Sequence, residues 1–290
     1  MKKEPNTLSD INYLKKDGFR IKKHLGQNFL RNNTLIDQII EAANLTKNTG
    51  VIEVGPGLGS MTGKLLNKAK KVLAYEIDTA LIPFLKNKYS TQNNLFLLQM
   101  NILDAAIDED IETYLSDCDD IVVVANLPYY ITTPILMRFL ETSTRIDRLI
   151  LMMQLEVAKR ITSRPSTKDY NALSVLVSYR ANAEFLFEIS RENFLPKPNV
   201  DSAIVRLNIQ NEPRFPATND RYFLTFVHQA FTQRRKTLLN NLLSAYPALD
   251  RPMIEQVLNR HDLDLTIRAE ALTLADLVKL ANDFYQLTHS

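Results

Sequence analysis

From residue 51 to residue 125, short apolar runs alternate with segments whose apolar residues recur at helical spacing. The pattern predicts strand 51–55, helix 60–69, strand 72–76, helix 79–88, strand 95–99 and strand 121–125. Alternation of this kind makes a parallel sheet covered by helices on both faces. The unbroken β-branched run Ile121-Val122-Val123-Val124 is what a central strand buried on both sides requires. Upstream, Leu35, Ile36, Ile39, Ile40 and Ala43 give one amphipathic helix behind Asn33-Thr34, which can cap its first amides. Downstream, Thr133 caps a helix with Pro134 at its first position, and 149–153 is a further strand. Helices 154–162 and 170–180 flank a polar loop, and the runs 183–189 and 202–209 suit an antiparallel pair at the sheet edge, joined through Asn193-Phe194-Leu195-Pro196-Lys197-Pro198.

Beyond residue 209 the alternation stops. Residues 210–219 carry two prolines and no periodicity, which marks a domain boundary, and helices are expected over about 220–232, 234–244, 252–259 and 273–287. At the other end, residues up to Lys23 are polar and basic, with a turn at Asp17-Gly18, and read as a partly ordered arm. His24 to Leu30 sets a glycine beside a buriable aromatic and reads as a lid. Three parts result: an arm and lid over 1–31, an α/β domain over 32–209 and a helical domain over 220–290.

Composition adds exclusions. The chain has 290 residues, 45% of them hydrophobic, enough for a packed core. A single cysteine, Cys118, allows no intrachain disulfide, and His24, His228, His261 and His289 are too scattered for a metal cluster, so no metal is expected. Without an apolar run near the ~18 residues of a membrane span or a signal-peptide core, the expected compartment is the cytoplasm. The net charge of +2 is unevenly placed: residues 1–31 hold eight Lys/Arg against three acids, and residues 104–120 hold eight acids and no base. Basic segments attract phosphate backbones, whereas an acidic stretch marks a solvated face. Nucleic acid is possible but not demanded: Lys22 and Lys23 in the arm, and Arg234, Arg235 and Lys236 in the tail, are the candidate phosphate contacts, and a solvated helix face is the plainer reading of the last three.

The chemistry gathers at two loops. All seven glycines lie between Gly18 and Gly63, and Gly55, Gly57 and Gly59 sit in one turn after the first strand, where a missing Cβ lets backbone approach a ligand. Twenty-one residues after Gly55, at the end of the next strand, Glu76 can accept hydrogen bonds from both hydroxyls of a ribose, so the expected ligand is a nucleoside; a plain strand-to-helix turn is the alternative. Strand 121–125 ends at Asn126-Leu127-Pro128-Tyr129-Tyr130, which opens onto the same crevice because ligands of such sheets bind at the carboxyl ends of strands. The exocyclic amine of adenine is a poor nucleophile, and acceptors from the Asn126 side chain and the Leu127 carbonyl can stabilise charge developing on it. Tyr129 can stack on the base and Phe194 can close its opposite face. A methyl sulfonium donor is already activated, so alignment supplies most of the rate without a nucleophilic residue or metal.

Seven segments together make the chain resemble the KsgA/RsmA family of ribosomal RNA adenine dimethyltransferases: Leu25-Gly26-Gln27-Asn28-Phe29-Leu30, Glu53 to Gly59, Glu76-Ile77-Asp78, Asn126-Leu127-Pro128-Tyr129, Phe194 to Ser202, Phe231 to Thr237, and Arg268-Ala269-Glu270. The likeness spans about nine tenths of the chain. It implies a Rossmann-like class I S-adenosylmethionine methyltransferase sheet, mostly parallel with one antiparallel edge strand, and a small C-terminal helical domain. It implies S-adenosyl-L-methionine as cofactor, held by Asn28, Leu30, Gly55, Gly57, Glu76, Asn101 and Asn126, with Asn126, Leu127, Tyr129 and Phe194 around the target base. The substrate implied is two adjacent adenines in the 3'-terminal hairpin of small-subunit (16S) ribosomal RNA, met on an immature 30S particle by a monomer. Three positions depart from the family pattern: Asn101 stands where Asp is usual, Leu155 where a basic residue is usual and Asn171 where Gly is frequent. Other readings are the large-subunit dimethylases of macrolide resistance, which typically carry Ile at the position of Leu127 and a shorter tail; a non-catalytic assembly factor; and a DNA adenine methylase.

Overall fold

The computed structural model describes residues 7–16, 19–22, 25–142 and 145–289. The expected turn at Asp17-Gly18, Lys23 and His24 lie outside these described residues. In chain order, α1 (Thr7–Lys16) and the two-residue β1 (Phe29–Leu30) precede α2 (Asn33–Ala42), β2 (Gly50–Val54), α3 (Thr62–Lys68), β3 (Lys71–Glu76), α4 (Ile82–Lys88) and β4 (Leu95–Gln99). There follow α5 (Ile107–Leu115), β5 (Ile121–Asn126), α6 (Thr132–Thr142), β6 (Arg148–Gln154), α7 (Leu155–Ile161) and α8 (Ala172–Arg180). Three strands, β7 (Ala181–Ile189), β8 (Phe194–Leu195) and β9 (Ser202–Ile209), lead to the helices α9 (Asp220–Ala230), α10 (Leu238–Ala245), α11 (Arg251–Arg260) and α12 (Leu274–His289).

Seven strands form one sheet in the order β4-β3-β2-β5-β6-β9-β7. Strands β2 to β6 are parallel and β9 runs antiparallel to β6, with Arg148 opposite Asn208 and Gln154 opposite Ser202. Every residue of β2 is buried, as are Ile121 to Ala125 of β5, which accounts for runs without polar alternation. The strand order reverses between β2 and β5, and the crevice at such a switch point is where open α/β sheets bind ligands.

Two compact units divide the chain. One comprises residues 1–158 and 184–209; the other comprises residues 159–183 and 210–290. The segment 159–183, assigned to the sheet domain on sequence grounds, groups with the C-terminal helices. Its aromatic residues explain why: the Tyr179 ring lies 4.5 Å from that of Phe223, its hydroxyl donates to Asp220 at 2.5 Å, and the Tyr170 ring meets Phe231. Asn171 has a local task there, capping α8 by accepting from the amides of Leu173 and Ser174 in a capping box.

Several expectations need correction. The arm contains a helix, α1, because Ile11 and Leu14 bury against Phe29, Leu58 and Leu85, and Asp10 pairs with Lys88 at 2.7 Å. The acidic stretch does turn Asp108, Glu109 and Glu112 to solvent as expected, but it does so on a helix the pattern did not predict, α5, which buries Ile107, Ile111 and Leu115. Helix α2 is capped by Asn32, not Asn33-Thr34, since the extended Asn32 accepts from Thr34 and Leu35 amides. Helix α6 begins at Thr132, whose hydroxyl donates to the Pro128 carbonyl, and Pro134 sits within a first turn that needs no amide donor from it. Helix α10 begins at Leu238, because Thr237 caps it by accepting from the Asn240 amide; Arg234, Arg235 and Lys236 therefore lie in the preceding turn.

Candidate active site

The carboxyl ends of β2, β3, β4 and β5 open into one cavity within the sheet unit. It is lined by Gly55 and Gly57 from the first turn, Glu76 from the second, Asn101 from the third and Asn126 from the fourth. Asn28 and Leu30 complete it from the N-terminal segment. All seven residues expected to hold the cofactor are thus brought together. The turn after β2 depends on left-handed backbone, with φ of 68° at Gly55 and 58° at Gly57. A Cβ on Gly57 would come within 3.1 Å of the Phe29 ring, so the missing side chain lets the N-terminal segment settle on the turn.

Glu76 is 4% exposed and accepts from the amide of Gly57 at 3.0 Å and of Asp78 at 2.8 Å. Burial raises its pKa, and hydrogen bonds from the backbone amides of Asp78, Gly57 and Ile77 act in the opposite direction. A carboxylate can take about four hydrogen bonds, so acceptor capacity remains for a ribose hydroxyl. Its neighbour Asp78 anchors the roof of the cavity. Asp78 is 1% exposed and accepts from Lys22 Nζ and Gln27 Nε2, both at 2.6 Å, and from the Ala80 amide. Burial alone would raise the Asp78 pKa, but these donors hold it below the usual carboxylate value. Lys22, expected to meet RNA, is therefore committed to Asp78. Nothing in the sequence pointed to this clamp, whose partners are separated by more than 50 residues.

Asn126 donates from Nδ2 to the Asn28 carbonyl at 2.9 Å, which fixes the amide and leaves Oδ1 as its acceptor. Leu127 is 1% exposed and bonded through its amide to the Met152 carbonyl. Tyr129 is half-buried, and its hydroxyl shares a 2.7 Å hydrogen bond with Ser202 Oγ. Burial raises the Tyr129 pKa and the Ser202 bond opposes the shift. Three of the four residues expected around the target base are not on the cavity wall: the Leu127 side chain is buried behind it, Tyr129 stands beside it, and Phe194, 2% exposed, is packed into the core with Leu30 and Met152. Tyr130, to which no role was assigned, does line the cavity.

On the third wall, Asn101 Oδ1 accepts from the Leu103 amide at 3.2 Å and caps a short 3-10 turn, while Asp104 is exposed and off the cavity. In the helical unit, the basic residues of the turn before α10 are exposed. Arg234 is the exception in function, because its guanidinium donates to the Lys168 carbonyl. Among the described residues no group of three or more His, Cys, Asp or Glu could hold a metal ion, and no helix is long and apolar enough to cross a membrane.

A doubly wound sheet with an antiparallel strand beside β6, and a cavity at its switch point lined by a glycine turn and an acid, is the architecture of class I S-adenosylmethionine-dependent methyltransferases. Similarity to known proteins narrows the class. Residues 18–280 match the family described as ribosomal RNA adenine dimethylase, and the chain belongs to that family. It is 41% identical over 271 residues to the ribosomal RNA small subunit methyltransferase A of Bacillus pumilus, covering 93% of both chains. Among solved structures, a dimethyladenosine transferase from Plasmodium falciparum is similar with a TM-score of 0.73 and 26% identity, over 89% of this chain and 98% of that one. The 23S rRNA methyltransferase ErmE is similar with a TM-score of 0.65 and 28% identity, over 87% and 98%.

Proposed function

We propose that this protein transfers methyl groups from S-adenosyl-L-methionine to N6 of two adjacent adenines in the 3'-terminal hairpin of small-subunit ribosomal RNA, giving N6,N6-dimethyladenines. The observation that carries the reading is the fixed amide of Asn126 at the end of β5, beside a cavity floored by the glycine turn and Glu76. The residues present fit the cofactor. A Cβ built on Gly55 meets nothing within 4 Å, so backbone there lies open, and Glu76 keeps acceptor positions for a ribose. When bound, the cofactor supplies an electrophilic methyl group on sulfur.

The chain's own residues do the rest. Asn126 Oδ1, with Nδ2 held by Asn28, accepts from the adenine amine and stabilises positive charge as it develops on nitrogen. Because Leu127 is pinned to Met152, the loop is preorganised. Tyr129, anchored by Ser202, offers the accessible part of its ring to the base. The segment Gln27 to Leu30, clamped through Asp78, keeps water from the reacting groups. Arg235 and Lys236 contact phosphates of the RNA. The reading extends to an immature 30S particle as substrate, a cytoplasmic setting and a monomeric enzyme, with a contribution to small-subunit biogenesis.

Transfer of labelled methyl groups to undermethylated small subunits, large subunits and duplex DNA tests it. Label confined to small subunits, recovered as dimethyladenine at two adjacent positions, is the expected result. Label in large subunits would favour a second reading, prompted by the likeness to ErmE, and binding to small subunits without transfer would favour a non-catalytic assembly factor.

A further inference from the structure

Tyr130 follows Tyr129 in sequence and differs from it in surroundings. The Tyr129 hydroxyl is tied to Ser202, whereas Tyr130 is 61% exposed and its side chain makes no hydrogen bond or ring contact among the described residues. Three aromatic side chains line the cavity, and two of them, Phe29 and Tyr75, are 8% and 2% exposed. The Tyr130 ring is the one at the mouth. One edge rests on the roof: a Cβ on Gly26 would lie 3.4 Å from Tyr130 Cε1 and 2.9 Å from Pro128 Cβ. Only a glycine lets the roof pass so close to this loop, and most of the ring remains in solvent.

An aromatic ring left this accessible beside a nucleotide-sized cavity has a use when the substrate is single-stranded RNA, whose unstacked bases bind by stacking on aromatic side chains. Resting on the function proposed above, the geometry points to Tyr130 as the stacking platform for the nucleobase next to the one being methylated. Only one adenine can stand beside Asn126 at a time, and removing it from its stack also strips one face of its neighbour. Tyr130 leads out of the cavity from the same loop, so its ring offers that neighbour a replacement face. The other exposed apolar side chains on the cavity wall, Ile77 and Met100, are aliphatic and belong to the Glu76 and Asn101 side, away from the Asn126 loop.

The test uses small subunits reconstituted with 2-aminopurine in place of one or the other of the two adjacent adenines. This base is bright when unstacked and quenched when stacked. With the wild-type protein and Tyr130→Phe, the probe beside the target adenine is expected to stay quenched in the complex. With Tyr130→Leu it should brighten severalfold, KM for small subunits should rise roughly fivefold to a hundredfold, and cofactor affinity should not change. Equal quenching and equal KM in Tyr130→Leu, or a Tyr130→Phe variant as impaired as Tyr130→Leu, would overturn the platform. Methyl transfer to unlabelled small subunits by the wild type reads the underlying function separately: no transfer overturns both, while transfer together with an unaffected Tyr130→Leu variant overturns the platform alone.

Discussion

Replacing Glu53 by Gln should remove a pH dependence of stability that this one residue gives the sheet unit. Glu53 lies on β2, just before the glycine turn, and is fully buried. Its Oε2 accepts from Thr62 Oγ1 at 2.7 Å, and Oε1 has no hydrogen-bond partner. Burial pushes its pKa from 4.5 up to about 8; the Thr62 bond opposes the shift and the charge of Glu76 adds to it. Between those two values the folded protein keeps a proton that the unfolded chain has lost, so stability falls as pH rises through the window. At about 1.4 kcal/mol per pH unit, the displacement from 4.5 to about 8 amounts to about 5 kcal/mol when the window has been crossed. The substituted glutamine cannot ionise, but its extra amide hydrogens have no acceptor, a pH-independent cost of about 1–3 kcal/mol. Near pH 5 the Glu53→Gln variant should therefore be the less stable protein, and near pH 9 the more stable by about 2–4 kcal/mol. Urea unfolding of both proteins from pH 5 to 9 at fixed ionic strength measures the difference. A difference constant across that range would mean that Glu53 ionises as an ordinary surface acid and would refute the argument.

Other expected outcomes follow from the site. Asn126→Ala should lower turnover by about tenfold to a thousandfold with little change in cofactor affinity, read from single-turnover rates and calorimetry; a collapse of cofactor binding with turnover preserved would assign the loop to the cofactor. Asn101→Asp should equal or improve cofactor affinity, and Asp104→Asn should leave it within about twofold because Asp104 is off the cavity. Asp78→Asn should speed cofactor dissociation by about tenfold by loosening Lys22 and Gln27, a rate that stopped-flow fluorescence would follow, and Lys22→Met should do so less because Gln27 and the Ala80 amide remain. Arg235→Ala with Lys236→Ala should flatten the slope of log affinity for small subunits against log salt by about two units, whereas Arg234→Ala should act mainly by releasing the Lys168 carbonyl.

The central sheet was legible because β2 and β5 are buried on both faces, which forces unbroken apolar runs, and the glycine turn and Glu76 because their backbone and charge requirements are local. Where tertiary contacts decide, the sequence was silent. Helix α1 has two well-buried apolar positions, Ile11 and Leu14, among polar residues, and holds because Phe29 and Leu58 receive it. Residues 159–183 read as a continuation of the sheet domain until the Tyr179–Phe223 contact shows their partners. In the Asn126 loop, the motif names Tyr129, yet Ser202, 73 residues away, ties its hydroxyl, and Tyr130 is left at the cavity mouth. Phe194 was expected at the target base as the aromatic of a stiff loop; its pairing with Leu30 turns it into the core instead.

That pairing has a consequence for synthesis of the chain. Strands β1 and β8 form a two-stranded sheet of their own, Phe29 opposite Leu195 and Leu30 opposite Phe194. The Arg31 amide extends it to the Asn193 carbonyl, and Asn32 Nδ2 reaches Asn193 Oδ1. During translation β2 to β6 can emerge and pair by residue 154, but the N-terminal segment that roofs the cavity has no strand to join until residues 194–195 leave the ribosome. The N-terminal segment can settle on Leu58, Asp78 and Asn126 before its own two-stranded sheet exists, and a nascent chain should hold its cofactor more tightly once β8 has been synthesised.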